Sequence, residues 1–330
     1  MSGTTGATAA FSAAGTAGTP SPLWVVGGNT PTDQEKVRYP DIIGNLRIDQ
    51  AWGSAQIMGA LHDASAGYYG NTAFGVACNG VQGTTCAGHP NDKMGFAIGG
   101  GIKINFPMIG PGDYFQAQVN YTQGAARYAA FTQPAAANPG IFGNSNTNNG
   151  LGVGVFSDAV YCGAPGLGAT AAFGAAACPA GGSSVQLTTV WGVNAAYEHF
   201  WTPALRTSLV GGYTATSYNG AASQMLAASP CGGAGTQCGT GFFANGAPIT
   251  SSNGLFDWQF YSISSRTQWN ITKDFYVGLE GFYGHLNTMA KNAVVTYTGT
   301  SATAQPTSTR TLADQDVFVY RMRVHRDLVP

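Results

Sequence analysis

The feature that most constrains this chain is a period of two. Runs of about ten residues alternate apolar with polar side chains, and the connections between them are by turns short and long. Successive side chains of an extended strand point to opposite faces, so each run has one greasy and one polar side. From Met94 to Phe106, Met94, Phe96, Ile98, Ile102, Ile104 and Phe106 share one side, and Lys103 and Asn105 sit on the other among glycine and alanine. In the next run, Phe115, Ala117, Val119 and Tyr121 oppose Tyr114, Gln116, Gln118, Asn120 and Thr122. No helical period of 3.6 fits either stretch.

Nine such strands are expected, at about 41–49, 51–62, 94–106, 114–123, 185–199, 205–218, 257–271, 274–286 and 316–326. The connections are short around Gln50 to Gly53, Pro107 to Asp113, Phe200 to Ala204 and Thr272 to Lys273, and long over 63–93, 124–184, 219–256 and 287–315. Tight turns at one end and large loops at the other describe an all-β, antiparallel, up-and-down barrel that crosses a membrane. The placement of charge agrees. A charge facing lipid at mid-depth costs about 2–4 kcal/mol, whereas one facing a water-filled lumen costs little. Nine in-strand charges, Arg47, Asp49, Lys103, Glu198, Arg206, Arg266, Glu280, Arg321 and Arg323, fall on the polar faces. The outward set, from Ile42, Leu46 and Ile48 through Leu187, Trp191 and Val193 to Phe318, Tyr320, Met322 and Val324, carries none.

Aromatic residues gather where acyl chains meet headgroups. Phe106, Phe115, Tyr197, Trp269 and Phe275 lie beside short turns, and Tyr121, Tyr213, Tyr261 and Tyr283 lie nearer the long loops, which implies two girdles. Charged residues make up 9% of the chain, against roughly 25% in a soluble domain. No run of about 18 apolar residues is present to form a transmembrane helix. A net charge of −1 argues against a nucleic-acid partner.

Enzyme signatures are weak. GFAIGGG (95–101) lacks the G-x-G-x-x-G order, no G-x-S-x-G elbow is present, and His62, His89, His199, His285 and His325 are dispersed. No catalytic residue, metal or cofactor is expected. Two rival readings are an outer-membrane hydrolase and a soluble or surface-exposed β-rich adhesin, in which apolar faces would pack on each other. Six cysteines fall into pairs, Cys78 with Cys86, Cys162 with Cys178 and Cys231 with Cys238, each inside one long loop. Loop-internal disulfides are the simplest expectation, with other connectivities and free thiols as alternatives; the spacings do not suit zinc.

Residues 1–40 read as a low-complexity loop and 41–330 as barrel. The amino terminus has no secretory signal pattern, and single-chain bacterial barrels have an even strand number. The expectation is therefore the carboxy-terminal part of a longer protein, starting inside an extracellular loop.

Three segments carry a resemblance: NLRIDQAWGSAQ (45–56), GIKINFPMIGPGD (101–113) and EHFWTPALRTSL (198–209). They resemble the porins of alphaproteobacteria, especially the rhizobial type, over about residues 39–330 and the last half of a family member. The resemblance implies a homotrimeric channel of about sixteen strands in the bacterial outer membrane, surrounded by lipid and passing small hydrophilic solutes and ions by diffusion. Two departures stand out. The chain ends VHRDLVP, with Leu328 where the family tends to an aromatic, and on the fragment expectation the half that carries the family's signal peptide and inward-folded constriction loop would lie outside this sequence. The nine in-strand charges are the expected wall of the pore, six basic against three acidic. Whether the connection 124–184 covers the mouth or dips inward is not decided by composition.

Overall fold

The computed structural model describes residues 23–26, 38–66, 90–129, 140–142, 150–154, 156–162, 184–223, 256–289, 291–292, 294–297 and 308–327. Nine long strands form one antiparallel sheet in which chain neighbours are also sheet neighbours. We number them β1 (Ile42–Gln50), β2 (Gly53–Asp63), β3 (Met94–Asn105), β4 (Tyr114–Gln123), β5 (Thr189–Thr202), β6 (Leu205–Ser217), β7 (Trp258–Thr272), β8 (Phe275–Asn287) and β9 (Gln315–Arg326). All nine expected strands are present. The fifth is displaced toward the chain end: Gln186–Leu187 forms a separate short strand, and β5 continues to Thr202. The sheet stays open, with β1 and β9 as its edges.

The short turns follow from local chemistry. At the β5–β6 turn the Thr202 hydroxyl accepts from the backbone N–H of Ala204 (3.2 Å) and Leu205 (3.0 Å), an arrangement that matches a register shift at Phe200/Thr202. At the β1–β2 turn Gly53 has φ +143°, and a Cβ there would stand 1.9 Å from the Lys103 carbonyl oxygen. Both features demand glycine. Gly53→Ala is therefore expected to cost at least about 1–3 kcal/mol in backbone strain. Urea titration of refolding into vesicles measures it, and an unchanged midpoint would contradict the turn geometry.

One face of the sheet is apolar and bare. Ile57 is 64% exposed, Ile98 60% and Leu279 59%, and among the described residues no second sheet covers them. A soluble sandwich would bury these side chains, so that rival is not the fold observed. Aromatic rings line this face near the long-loop end, with ring centroids 4.8 Å apart for Trp191–Tyr213 and Tyr283–Phe318. At the short-turn end Phe106 lies 6.4 Å from Tyr197.

The opposite face is covered, but only at the long-loop end. Cross-strand pairing runs Ala97, Thr122, Val190, Thr216 and Trp258 along one row, and all five are buried. What covers them is the connection between β4 and β5. A Cβ on Gly192 would stand 2.3 Å from the Ala129 carbonyl oxygen, and one on Gly154 would stand 2.7 Å from the Trp258 ring. This connection also supplies Gly150–Gly154, which pairs with Ser308–Leu312 from the β8–β9 connection, and Ala159–Cys162, which pairs with Leu23–Val26. The choice left open by composition is thereby made: the described parts of 124–188 lie against the polar face.

Apart from the strand Leu23–Val26 and Arg38 to Pro40, the expected loop at 1–40 lies outside the described residues. So do Cys78, Cys86, Cys178, Cys231, Cys238 and the side chain of Cys162.

Candidate functional site

Paired residues of an antiparallel sheet point to the same side, so the register assigns each charge to a face. Arg47 pairs with Gln56, which continues through Gly101 and Gln118 to Asn194. Asp49 pairs with Ser54, and Ser54 with Lys103. A third row runs Asn105, Tyr114, Glu198, Ser208, Arg266, Glu280, Arg321. A fourth runs Phe200, Arg206, Gln268, Gly278, Arg323. Every one of these nine charges sits on the face against which the long connection packs, in the half toward the short turns; three further charges, Asp63, Asp316 and Arg326, stand at strand ends and pair on the opposite face. Beside Arg47 and Lys103 this face holds a hollow of about 410 Å³, lined also by Gln56, Gln116, Gln118 and Asn194.

The acids are already engaged. Arg47 Nη2 lies 2.7 Å from Asp49, Arg206 Nε 3.1 Å from Glu198 and Arg321 Nε 3.9 Å from Glu280. Glu198 also accepts from the Tyr114 hydroxyl at 2.5 Å. Half of the six bases remain: among the described residues no carboxylate pairs with Lys103, Arg266 or Arg323. Lys103 Nζ lies 4.3 Å from the centre of the Tyr114 ring, and the guanidiniums of Arg266 and Arg323 lie 6.0 and 5.9 Å from that of Tyr276. A cation over a ring face is held without being neutralised. The surplus charge of this wall is therefore positive.

Sequence reasoning missed the groups that hold the ends of the strands. Three histidines each share one aspartate with a tyrosine. At the long-loop end His62 Nδ1 lies 2.8 Å from Asp41, which also accepts from the Tyr128 hydroxyl at 2.5 Å. At the short-turn end Asp113 accepts from Tyr197 (2.8 Å), His199 (2.7 Å) and the Phe200 N–H (2.9 Å). On β9, Asp316 accepts from Tyr283 (2.7 Å) and His285 (2.8 Å). The repeated Tyr-x-His at 197–199 and 283–285 was the available signal, but its aspartates are far away in the chain. In each cluster the tyrosine hydroxyl and the histidine both donate to one carboxylate.

Burial raises the Asp113 carboxyl, but the bonds from His199, Phe200 and Tyr197 outweigh it and hold the group below the ordinary carboxylate value. The Asp41 carboxyl is lowered in the same way, with Tyr128 and His62 overcoming burial, while burial and Asp41 push the Tyr128 hydroxyl up to about 12.

The fixing of the inward connection runs through Asp158. Its Oδ1 accepts the Ala126 N–H at 2.6 Å, its backbone carbonyl accepts the Thr188 N–H at 2.9 Å, and its Oδ2 lies 3.4 Å from His62 Nε2, an ionic contact without hydrogen-bond alignment. Two points of the connection and the rim of β2 thus converge on one buried residue.

No curated protein matches the chain. Among solved structures, the outer membrane channel DcaP of Acinetobacter baumannii aligns with 87% of this chain and 53% of its own length, at 10% identity and a TM-score of 0.41, so the chain spans about half of that channel. The family model described as the porin subfamily matches residues 1–320. Because that match takes in nearly the whole sequence, the chain belongs to the porin subfamily.

Proposed function

We propose that the sheet is part of the wall of a water-filled channel in the bacterial outer membrane, passing small hydrophilic solutes and ions by diffusion without a chemical step. The observation that carries this reading is the division of faces. Charges gather on one side, and exposed isoleucine and leucine fill the middle of the other, as lipid on one side and water on the other require. Arg47, Asp49, Lys103, Glu198, Arg206, Arg266, Glu280, Arg321 and Arg323 then line the lumen. The connection folded against this wall narrows the extracellular half, and the charged half below it sets ion preference.

Bare strand edges are costly in hydrocarbon, so β1 and β9 need partners. With nine alternating strands these edges run in the same direction, and an all-antiparallel closure takes an odd number of further strands. About seven more would give an even-numbered barrel of the size that leaves an aqueous lumen. Association of three such barrels would follow the homotrimer that the family resemblance implies.

Recording from protein extracted from native outer membranes into planar bilayers tests the reading. Discrete ohmic steps that grow with salt concentration are expected, and their absence in active membrane extracts would refute the channel. Arg321→Gln with Arg323→Gln should lower the anion-to-cation permeability ratio by roughly twofold. The two lost charges act across water, where a unit charge at 4 Å is worth only about 1 kcal/mol. An unchanged reversal potential would remove both arginines from selectivity.

A further inference from the structure

The hollow beside Arg47 and Lys103 has an open floor at Gly101. On the face assigned above to the lumen, Gln56 of β2 and Gln118 of β4 flank this position, Lys103 follows it along β3, and Ser54 and Gln116 stand on either side of Lys103. Apart from its chain neighbours, a Cβ built on Gly101 would meet only the Ala117 carbonyl oxygen at 3.6 Å and the Gln118 Cβ at 4.0 Å. No distal side-chain atom therefore occupies the place over it. Other glycines of this face are covered: Asn120 Oδ1 takes the position over Gly99, and Asn194 Oδ1 that over Gly212 at 2.8 Å. Gly101 lines the hollow of about 410 Å³, a volume in the range of small-ligand sites.

What borders the space is a set of uncommitted amides. Gln116, Gln118 and Asn194 are exposed and Gln56 is half-buried, and among the described residues no hydrogen bond engages any of these four side chains. Each amide offers two donors and an acceptor. Strand spacing sets Gln56 and Gln118 roughly 10 Å apart across Gly101, with Asn194 beside Gln118. The charges are partly settled, since Arg47 is bound to Asp49 at 2.7 Å and Lys103 lies over the Tyr114 ring at 4.3 Å. Met58, Ala196 and Val210 add apolar surface to the same hollow. Amides on both sides of an open position suit a solute whose groups donate and accept together, as hydroxyls do. A bare anion would engage their N–H groups and leave the carbonyl oxygens unmatched.

We infer that the hollow over Gly101 is a binding subsite for a monosaccharide. Hydroxyls on adjacent carbons pair with Gln56 on one side and with Gln118 and Asn194 on the other, and Lys103 donates a charge-assisted hydrogen bond to a further oxygen. The C–H face of the sugar ring lies over Gly101, where a larger side chain would hold it away from the sheet. These bonds replace bonds to water, so the affinity is weak, of about millimolar order, as capture and release along a pore require. The inference rests on the channel reading for access from water, and it names the class of solute that this part of the wall favours.

The probes are glucose and tetraethylene glycol, molecules of similar mass, the second with ether oxygens and a hydroxyl only at each end. Both are applied to the assembled protein, in detergent for calorimetry and in bilayers for block of the chloride current. Glucose should bind and block at a concentration lower by about tenfold, because the ether oxygens accept hydrogen bonds but donate none. Gln56→Ala with Gln118→Ala enlarges the hollow, yet it should raise the half-blocking glucose concentration by about tenfold through the hydrogen bonds lost. Mere narrowing of the pore would predict the opposite. Gly101→Leu keeps every amide and every charge but fills the space, and it should abolish glucose binding. Equal block by the two probes, or glucose binding unchanged in either variant, would overturn the subsite. Calorimetric binding of glucose by a protein that carries no current would instead refute the channel and leave the subsite standing.

Discussion

Ile98→Arg and Leu279→Arg are expected to destabilise the folded protein in bilayers by about 2–4 kcal/mol each, while Gln118→Arg and Ser264→Arg cost a small fraction of that. Ile98 and Leu279 are mid-strand, 60% and 59% exposed, and belong to the apolar face. Gln118 and Ser264 are mid-strand on the rows of Arg47 and Lys103. All four changes add the same side chain at similar depth, so helix or strand propensity and net charge cancel in the comparison. The physical difference is whether a guanidinium must shed its water among acyl chains or keeps it in the lumen. Urea unfolding in vesicles gives the four values. Equal costs at all four positions would mean that the polar face is not wet, and the assignment of faces would fail.

Asp158→Ala should release the connection that lies against the wall. The carboxylate is 4% exposed, and its loss strands the Ala126 N–H and removes one of the two carboxylates flanking His62. A buried donor left without a partner costs about 1–3 kcal/mol, enough to weaken the hold on the connection at this point. The expected outcome is a larger single-channel conductance together with faster cleavage of the connection by external protease. Asp158→Asn keeps an acceptor for Ala126 and removes the charge near His62, so its smaller effect separates the hydrogen bond from the ionic contact. Unaltered conductance and protease resistance in the alanine variant would show that Asp158 does not hold the connection in place.

Much of the architecture was readable before any coordinates. The expected runs at 94–106, 114–123 and 205–218 became β3, β4 and β6 with ends moved by one residue at most, because an amphipathic strand is written in neighbouring residues at a period of two. The sharing of one face by Arg47, Lys103, Glu198 and Arg321 was readable for the same reason, strand by strand. Their order in rows was not. Whether Glu198 lies level with Arg266 and Glu280 depends on register, which turn lengths and the shifts at Phe200/Thr202 and Asn270/Thr272 establish together.

What the chain determined alone was therefore the strands, the identity of the two faces and the side on which charge is tolerated, since each is a short-range pattern set by transfer of side chains between water and hydrocarbon. Only the tertiary structure decided where the β4–β5 connection goes, which carboxylates neutralise which bases, and which aspartates join the Tyr-x-His pairs. Those outcomes depend on residues tens of positions apart, such as Asp158 with His62 and Ala129 with Gly192, meeting at contact distance. Steric fit and the pairing of buried polar groups select them, and neither leaves a periodic trace in sequence.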